Sequence, residues 1–491
     1  MSKNMSSRIA LAAAALAGCC VFFDAPRLKH VLADDQTLFL RGAELIRHSG
    51  LLYREFWDVK PPGIFLLYLA GGSIFGFTDL GIRLMEMAIL TGFAVLSFLW
   101  LGPRIGYRAA WLGAVLVIPF YNSLSVDPDL GTVEGLACLP VAMAALGLLK
   151  PRSNWRLIAA GAGVGFLLLL KLFYGLVAVG FWAVFLIMDR ESARSLRTWV
   201  ILLISAATPI AATVAWFAVQ GTLPDLIDAV FRVPYEARNA IDPMMRIGAL
   251  PEGLHHFLSG TSALWLLLLP AGWAVREKRH ERRIWMPVAF LCVWMVTGAI
   301  AIVVQFQSWW EYHWLLILPP VALLAGFGLD WAIFQIVRGS TARRWIAGLI
   351  LLLAAFRTIG VARSFAVDMF TDREMADNRL YRDIRRDEAR QVQCGPSDTA
   401  FVWMSPMTPR FSNCRLASAI EGDNMTVLPA SVYRRVRADI EKSSPRYIYV
   451  SNRDLVRKAP WPNFESKFPG VLAGYDVVYH GVWGTWFQKR K

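Results

Sequence analysis

The sequence predicts a mainly α-helical protein that crosses a membrane many times and ends in a small α/β domain. Three observations carry this expectation. Of 491 residues, 56% are hydrophobic and 18% charged, with a mean hydropathy of +0.43; soluble domains hold roughly 45–50% apolar and about 25% charged residues. Long apolar runs recur from 9–23 to 345–361, each near the length a helix needs to cross about 30 Å of hydrocarbon. After Val361 the composition changes. Charged DREMADNRLYRDIRRDEAR gives way to strand-like TAFVW (399–403) and RYIYVS (446–451), separated by Pro, Ser and Asn.

At the N-terminus, Lys3 and Arg8 precede the apolar run Ile9 to Phe23. This has the outline of a signal peptide, and Leu16-Ala17-Gly18-Cys19 matches a lipoprotein cleavage box. Small residues are also common at packed helix faces in membranes, and we read the run as an uncleaved first crossing.

Further apolar runs fall near 61–77, 80–101, 109–124, 132–149, 157–171, 174–188, 198–219, 261–275, 284–304, 313–334 and 345–361. Lys and Arg crowd the linkers 102–108, 150–156, 189–197, 276–283 (REKRHERR) and 335–344, whereas the long linker 220–260 holds Arg232, Arg238 and Arg246, and 125–131 and 305–312 hold none. The positive-inside rule puts the first group in the cytoplasm, with the N-terminus, and the second group outside. That assignment allows one crossing between Phe23 and Gly102, so 61–77 lies in the interface rather than spanning. The expectation is about eleven transmembrane helices plus one interfacial helix. A membrane domain 1–361, with outer loop 24–79, would precede an outer domain 362–491.

The net charge of +14 sits in short loops between apolar runs, a pattern of membrane topology rather than nucleic-acid binding. Cys19, Cys20, Cys138 and Cys292 lie in apolar runs. Cys394 and Cys414 lie in the tail, where an oxidising compartment would let them pair. There is no zinc spacing, P-loop or dinucleotide fingerprint.

The stretch WDVKPPGIF (57–65) sets a lysine and two prolines at the head of the interfacial run. Pro61 and Pro62 suit a first helical turn, where missing N–H groups cost nothing. Lys60 at a helix N-terminus is electrostatically awkward unless an anion shares the site; the alternative is a lysine snorkelling to headgroups. Acids flank other apolar ends on the same face: Asp34 and Asp35, Asp127 and Asp129 in SVDPDLGT, and Glu311 beside His313 in WWEYHW. Each alone suits an ordinary turn or cap. Together with Arg83, they are functional candidates at a membrane edge. A carboxylate suits general-base activation of a hydroxyl, and lysine, arginine and histidine suit a phosphate leaving group. That chemistry describes glycosyl transfer from a lipid-phosphate sugar.

The stretch from Asp35 to Gly71, DQTLFLRGAELIRHSGLLYREFWDVKPPGIFLLYLAG, resembles the bacterial protein-mannosyltransferase-like glycosyltransferases of the GT-C fold. It is also similar to the lipid A aminoarabinose transferases. The resemblance implies that Asp35 is catalytic, with Gln36 standing where the family has Glu, and that Lys60 contacts the carrier phosphate. Val126-Asp127-Pro128 resembles the family's Leu-Asp-Pro, Gly81-Ile82-Arg83 its arginine-bearing helix start, and His313-Trp314 to Pro319-Pro320 its His-Tyr…Pro-Pro segment. The tail is similar to its outer domain, in DTAFVWMSPMTPRFSNCRLAS and YDVVYHGVWGTWFQKRK. The reading implied is an inverting transferase in a bacterial inner membrane. It would use a polyprenyl-phosphate sugar as donor and a periplasmic lipid A, glycan or protein as acceptor. Asp35 would deprotonate or orient the acceptor, Lys60, Arg83 and His313 would hold phosphate, and Asp127, Glu311 or Asp34 would position the acceptor or help bind a divalent cation. Two rivals remain: a transporter or lipid-linked-glycan flippase, expected to show internal repeats, and a scaffold, for which Asp35 and Lys60 would be dispensable.

Overall fold

The computed structural model describes all residues except 1–2, 33, 124–130, 241–249, 279, 306–310, 371–382, 385, 394–397, 404–414, 421–429, 457–462, 483 and 491. Asp127, Asp129, Cys394 and Cys414 therefore lie outside the described residues. The chain divides into two compact units, one of residues 1–29, 82–213 and 247–371, the other of 30–81, 214–246 and 372–491.

The first unit is helical. It contains α1 (Lys3–Asp24), most of α4 (Asp79–Ile105), α5 (Tyr107–Ser123), α6 (Val133–Leu136), α7 (Cys138–Gly147), α8 (Asn154–Leu170) and α9 (Gly175–Met188), followed by longer helices to Phe370. Among the described residues, five helices are long and apolar enough to span a bilayer: Met5–Lys29, Asp79–Ile105, Leu196–Val219, Arg283–Val304 and Leu318–Arg338. The pair Gly253–Gly260 and Ser262–Glu277, bent by 66°, makes a sixth if taken as one broken span. This is a multi-pass membrane protein. Several expected crossings fall among shorter apolar helices, such as Val133–Gly147, Asn154–Leu170 and Leu172–Met188.

Small residues set the packing. A Cβ built on Gly326 would collide with the backbone of Gly113, and one on Gly113 with the backbone of Leu323. Helix α5 and helix Leu318–Arg338 thus touch backbone to backbone, as close membrane helix pairs do.

The second unit holds α2 (Asp34–Arg47) and α3 (Gly63–Phe75). Thirteen residues make α3 about 20 Å long, shorter than the roughly 30 Å of a hydrocarbon core. Phe39 of α2 meets Phe65 and Tyr68 of α3 edge-on at 5.8 and 5.4 Å. Phe56, from the connecting loop, meets Phe65 at 5.9 Å.

The described residues of the tail form a five-stranded sheet in the order β2-β1-β3-β5-β4. Strands β1 (Thr399–Trp403), β2 (Arg415–Ile420) and β3 (Tyr447–Ser451) are parallel, while β4 (Tyr475–His480) and β5 (Gly484–Lys489) add antiparallel. Helix Ala430–Ser443 links β2 to β3, the crossover that a parallel arrangement requires. Tyr447, Tyr449, Ala400, Val392 and Trp486 form its core. The strands expected at 399–403 and 446–451 are present.

Candidate active site

Asp35 lies in the first turn of α2, where the helix dipole favours a carboxylate. The chain then makes a tight return through 48–62. Ser49 (φ 62°) and Tyr53 (φ 67°) take the left-handed conformation, and Tyr53 N–H donates to the Phe56 carbonyl at 2.7 Å. The return brings Lys60 back to α2. Its Nζ donates to Asp35 Oδ1 at 3.2 Å and lies 5.3 Å from the Phe39 ring centroid. The anion that a lysine at this helix start requires is therefore supplied by the protein.

A second acid, Asp58, completes the group. Its Oδ1 accepts the Lys60 backbone N–H at 3.0 Å and stands 4.0 Å from Lys60 Nζ. The side chain is 1% exposed, and Oδ2 has no hydrogen-bond partner among the described residues. Burial pushes the Asp58 carboxyl above the usual range, against the opposing pull of Lys60. Tyr53, fully buried, donates its hydroxyl to the Lys60 carbonyl at 2.7 Å. Both backbone groups of Lys60 are thus held by side chains of its own loop, and Pro61 and Pro62 follow. Pro62 is the N-cap of α3 and makes no side-chain cap.

The other candidate cations belong to the first unit. Arg83, in α4, is buried and paired with Glu86, NH1 lying 3.1 and 3.0 Å from the two carboxylate oxygens. Beside it is a cleft lined by Asp24, Arg27, Arg83, Glu86 and Tyr121, and Arg27 donates to Asn122 Oδ1 at 2.7 Å. His313 sits in the 3-10 helix Glu311–Leu316. Its Nε2 is 3.7 Å from Glu134 Oε1, which also accepts Lys171 Nζ at 2.7 Å. The side chains of Asp34, which opens α2, and of Glu311 lie outside the described residues. Among the described residues, no group of three or more His, Cys, Asp or Glu could hold a metal ion.

Of the expected site residues, Asp35 and Lys60 are brought together, Arg83 is engaged by Glu86, and His313 joins Glu134 and Lys171. Asp58, Glu134 and Lys171 were missed by sequence reasoning. Glu134 and Lys171 carried a usable signal, since each is a charge inside or at the end of an apolar run.

No family model matches this chain, and no curated protein matches it significantly. Solved structures do. The crystal structure of ArnT from Cupriavidus metallidurans bound to undecaprenyl phosphate superposes with a TM-score of 0.58 at 14% identity. The match covers 99% of this chain and 98% of ArnT. The fold is GT-C. An Archaeoglobus fulgidus oligosaccharyltransferase, tethered with an acceptor peptide, gives a TM-score of 0.49 at 13% identity over 98% of this chain and 74% of that one. The same enzyme with Zn and sulfate gives 0.47 at 14%, over 96% and 72%. The GT-C likeness to ArnT runs end to end, tail included.

Proposed function

We propose that the chain is an integral membrane glycosyltransferase that moves a monosaccharide from a polyprenyl-phosphate donor to an acceptor hydroxyl. One observation carries the reading: a carboxylate and an ammonium, Asp35 and Lys60, meet at 3.2 Å just ahead of the short helix α3. The fold is shared with a protein crystallised with undecaprenyl phosphate, and this supports a lipid phosphate as the anion.

In the mechanism, Asp35 takes the proton of the acceptor hydroxyl, or orients it. The hydroxyl oxygen attacks the anomeric carbon through an oxocarbenium-like state. The bond to the phosphate oxygen breaks and its electron pair leaves with the phosphate. One displacement inverts the anomeric centre, unlike the two-step route of retaining glycosidases. Lys60 receives the charge developing on the phosphate; Arg83 and His313 are assigned the same task. Asp127, Glu311 and Asp34 are assigned to the acceptor or to a divalent cation. The acceptor is a lipid, glycan or protein on the periplasmic side of a bacterial inner membrane. The N-terminus is cytoplasmic, and the domain from 362 to 491 is periplasmic.

The test uses purified protein in nanodiscs with a panel of polyprenyl-phosphate sugars, following release of free polyprenyl phosphate. Sugar-dependent release that falls about 10²–10⁴-fold in Asp35→Asn, with Lys60→Ala also impaired, supports the reading. A donor that reacts equally with wild type and Asp35→Asn overturns the catalytic assignment.

A further inference from the structure

Lys60 holds the proposed base. The ammonium that should receive the donor's phosphate is, in this structure, the counter-ion of Asp35 at 3.2 Å. Its backbone is clamped by Asp58 and Tyr53, so the flexible part is the four-carbon side chain. Lys60 and Asp35 remain partly open, with side chains 21% and 14% exposed, whereas Asp58 is closed off at 1%.

We infer that Lys60 changes partner during the reaction, leaving Asp35 for the donor's phosphate, and that Asp58 is a positioning residue that keeps the ammonium within reach of both. The inference rests on the transfer reading above. The acceptor O–H proton passes to an Asp35 oxygen, and the acceptor oxygen bonds the anomeric carbon. The carbon–oxygen bond to phosphate breaks with its electron pair going to the phosphate. Asp35 thereby passes from anionic to neutral and loses its hold on the ammonium. The phosphate passes from a diester, with one negative charge, to a monoester with up to two, and tightens its hold. Both changes drive Lys60 the same way at the same moment. The lysine therefore stabilises the transition state more than the bound donor, which is what accelerates a reaction.

Binding of undecaprenyl phosphate to the full chain in nanodiscs tests this without turnover. Lys60→Ala should weaken binding. Asp35→Asn should tighten it about two- to fivefold, the worth of a released partly exposed ion pair. The gain should vanish in Lys60→Ala/Asp35→Asn, because it is transmitted through the ammonium. A gain that persists in the double variant is charge repulsion through space and overturns the exchange. So does an Asp35→Asn affinity equal to or below wild type while Lys60→Ala is weakened, and in that case the phosphate role of Lys60 stands. If Lys60→Ala binds like wild type, that role and the exchange both fall. Asp58→Ala should lose affinity, and Asp58→Asn, which keeps an acceptor for the Lys60 N–H, should recover part of it. Equal loss in both variants overturns the positioning role.

Discussion

Lys171 Nζ lies 2.7 Å from Glu134 Oε1, and the glutamate side chain is 3% exposed. The lysine stands in the gap between α8 and α9, and the glutamate in the four-residue helix α6. A helix interrupted at a lysine and a short helix carrying a buried acid are joined by one ion pair. Removing one partner of such a pair strands the other charge.

Glu134→Ala should therefore lower stability by about 3 kcal/mol, read as a lower thermal midpoint in detergent. Adding Lys171→Met should restore most of the loss, because no charge is then left unpaired. A double variant as unstable as the single one would show that the loss comes from packing.

The Asp58 carboxyl titrates above its ordinary range because it is buried. The folded chain therefore holds that proton more tightly than the unfolded chain. The resulting stability is fully present below the ordinary aspartate value of about 3.9 and is lost as pH rises through the folded value. Asp58→Asn, which cannot ionise, should gain in midpoint relative to wild type as pH is raised from about 4. A constant difference across that range would contradict the assignment.

Ser49 is exposed and takes φ 62° two residues after the end of α2. The left-handed conformation costs a non-glycine residue roughly 1–2 kcal/mol. Ser49→Gly should raise stability by about 0.5–1 kcal/mol in thermal unfolding, with transfer activity retained. A lower midpoint would mean that the serine side chain makes a contact outweighing the strain.

Gly326 has no room for a side chain against Gly113. Gly326→Val should cost at least about 1–3 kcal/mol by overpacking and reduce the monodisperse fraction on size-exclusion chromatography. Wild-type behaviour would show that the two helices can separate without loss.

Much of this was legible in the sequence where the signal was local. The basic linkers and the double proline marked 61–77 as a segment apart, and α3 runs from Gly63 to Phe75. TAFVW is β1 residue for residue. The approach of Asp35 to Lys60, twenty-five positions apart, was carried by the family resemblance of the DQ…KPPG stretch rather than by periodicity. No local signal marked Asp58 as buried; it follows the closed turn at Tyr53 and Phe56. Glu134 and Lys171 passed as the edges of apolar runs, because their pairing joins segments thirty-seven positions apart. The full set of crossings was hardest to read, since several apolar runs form helices shorter than a bilayer is thick.

The bond from the Tyr53 hydroxyl to the Lys60 carbonyl turns the stretch between them into a gauge. What it measures is a count of residues, one of which, Arg54, also pairs with Asp225 at 2.8 Å. One residue added there would shift the ammonium by about 3.5 Å and part it from Asp35, although every side chain of the site survived. Along this stretch, selection should act on length as well as on lettering.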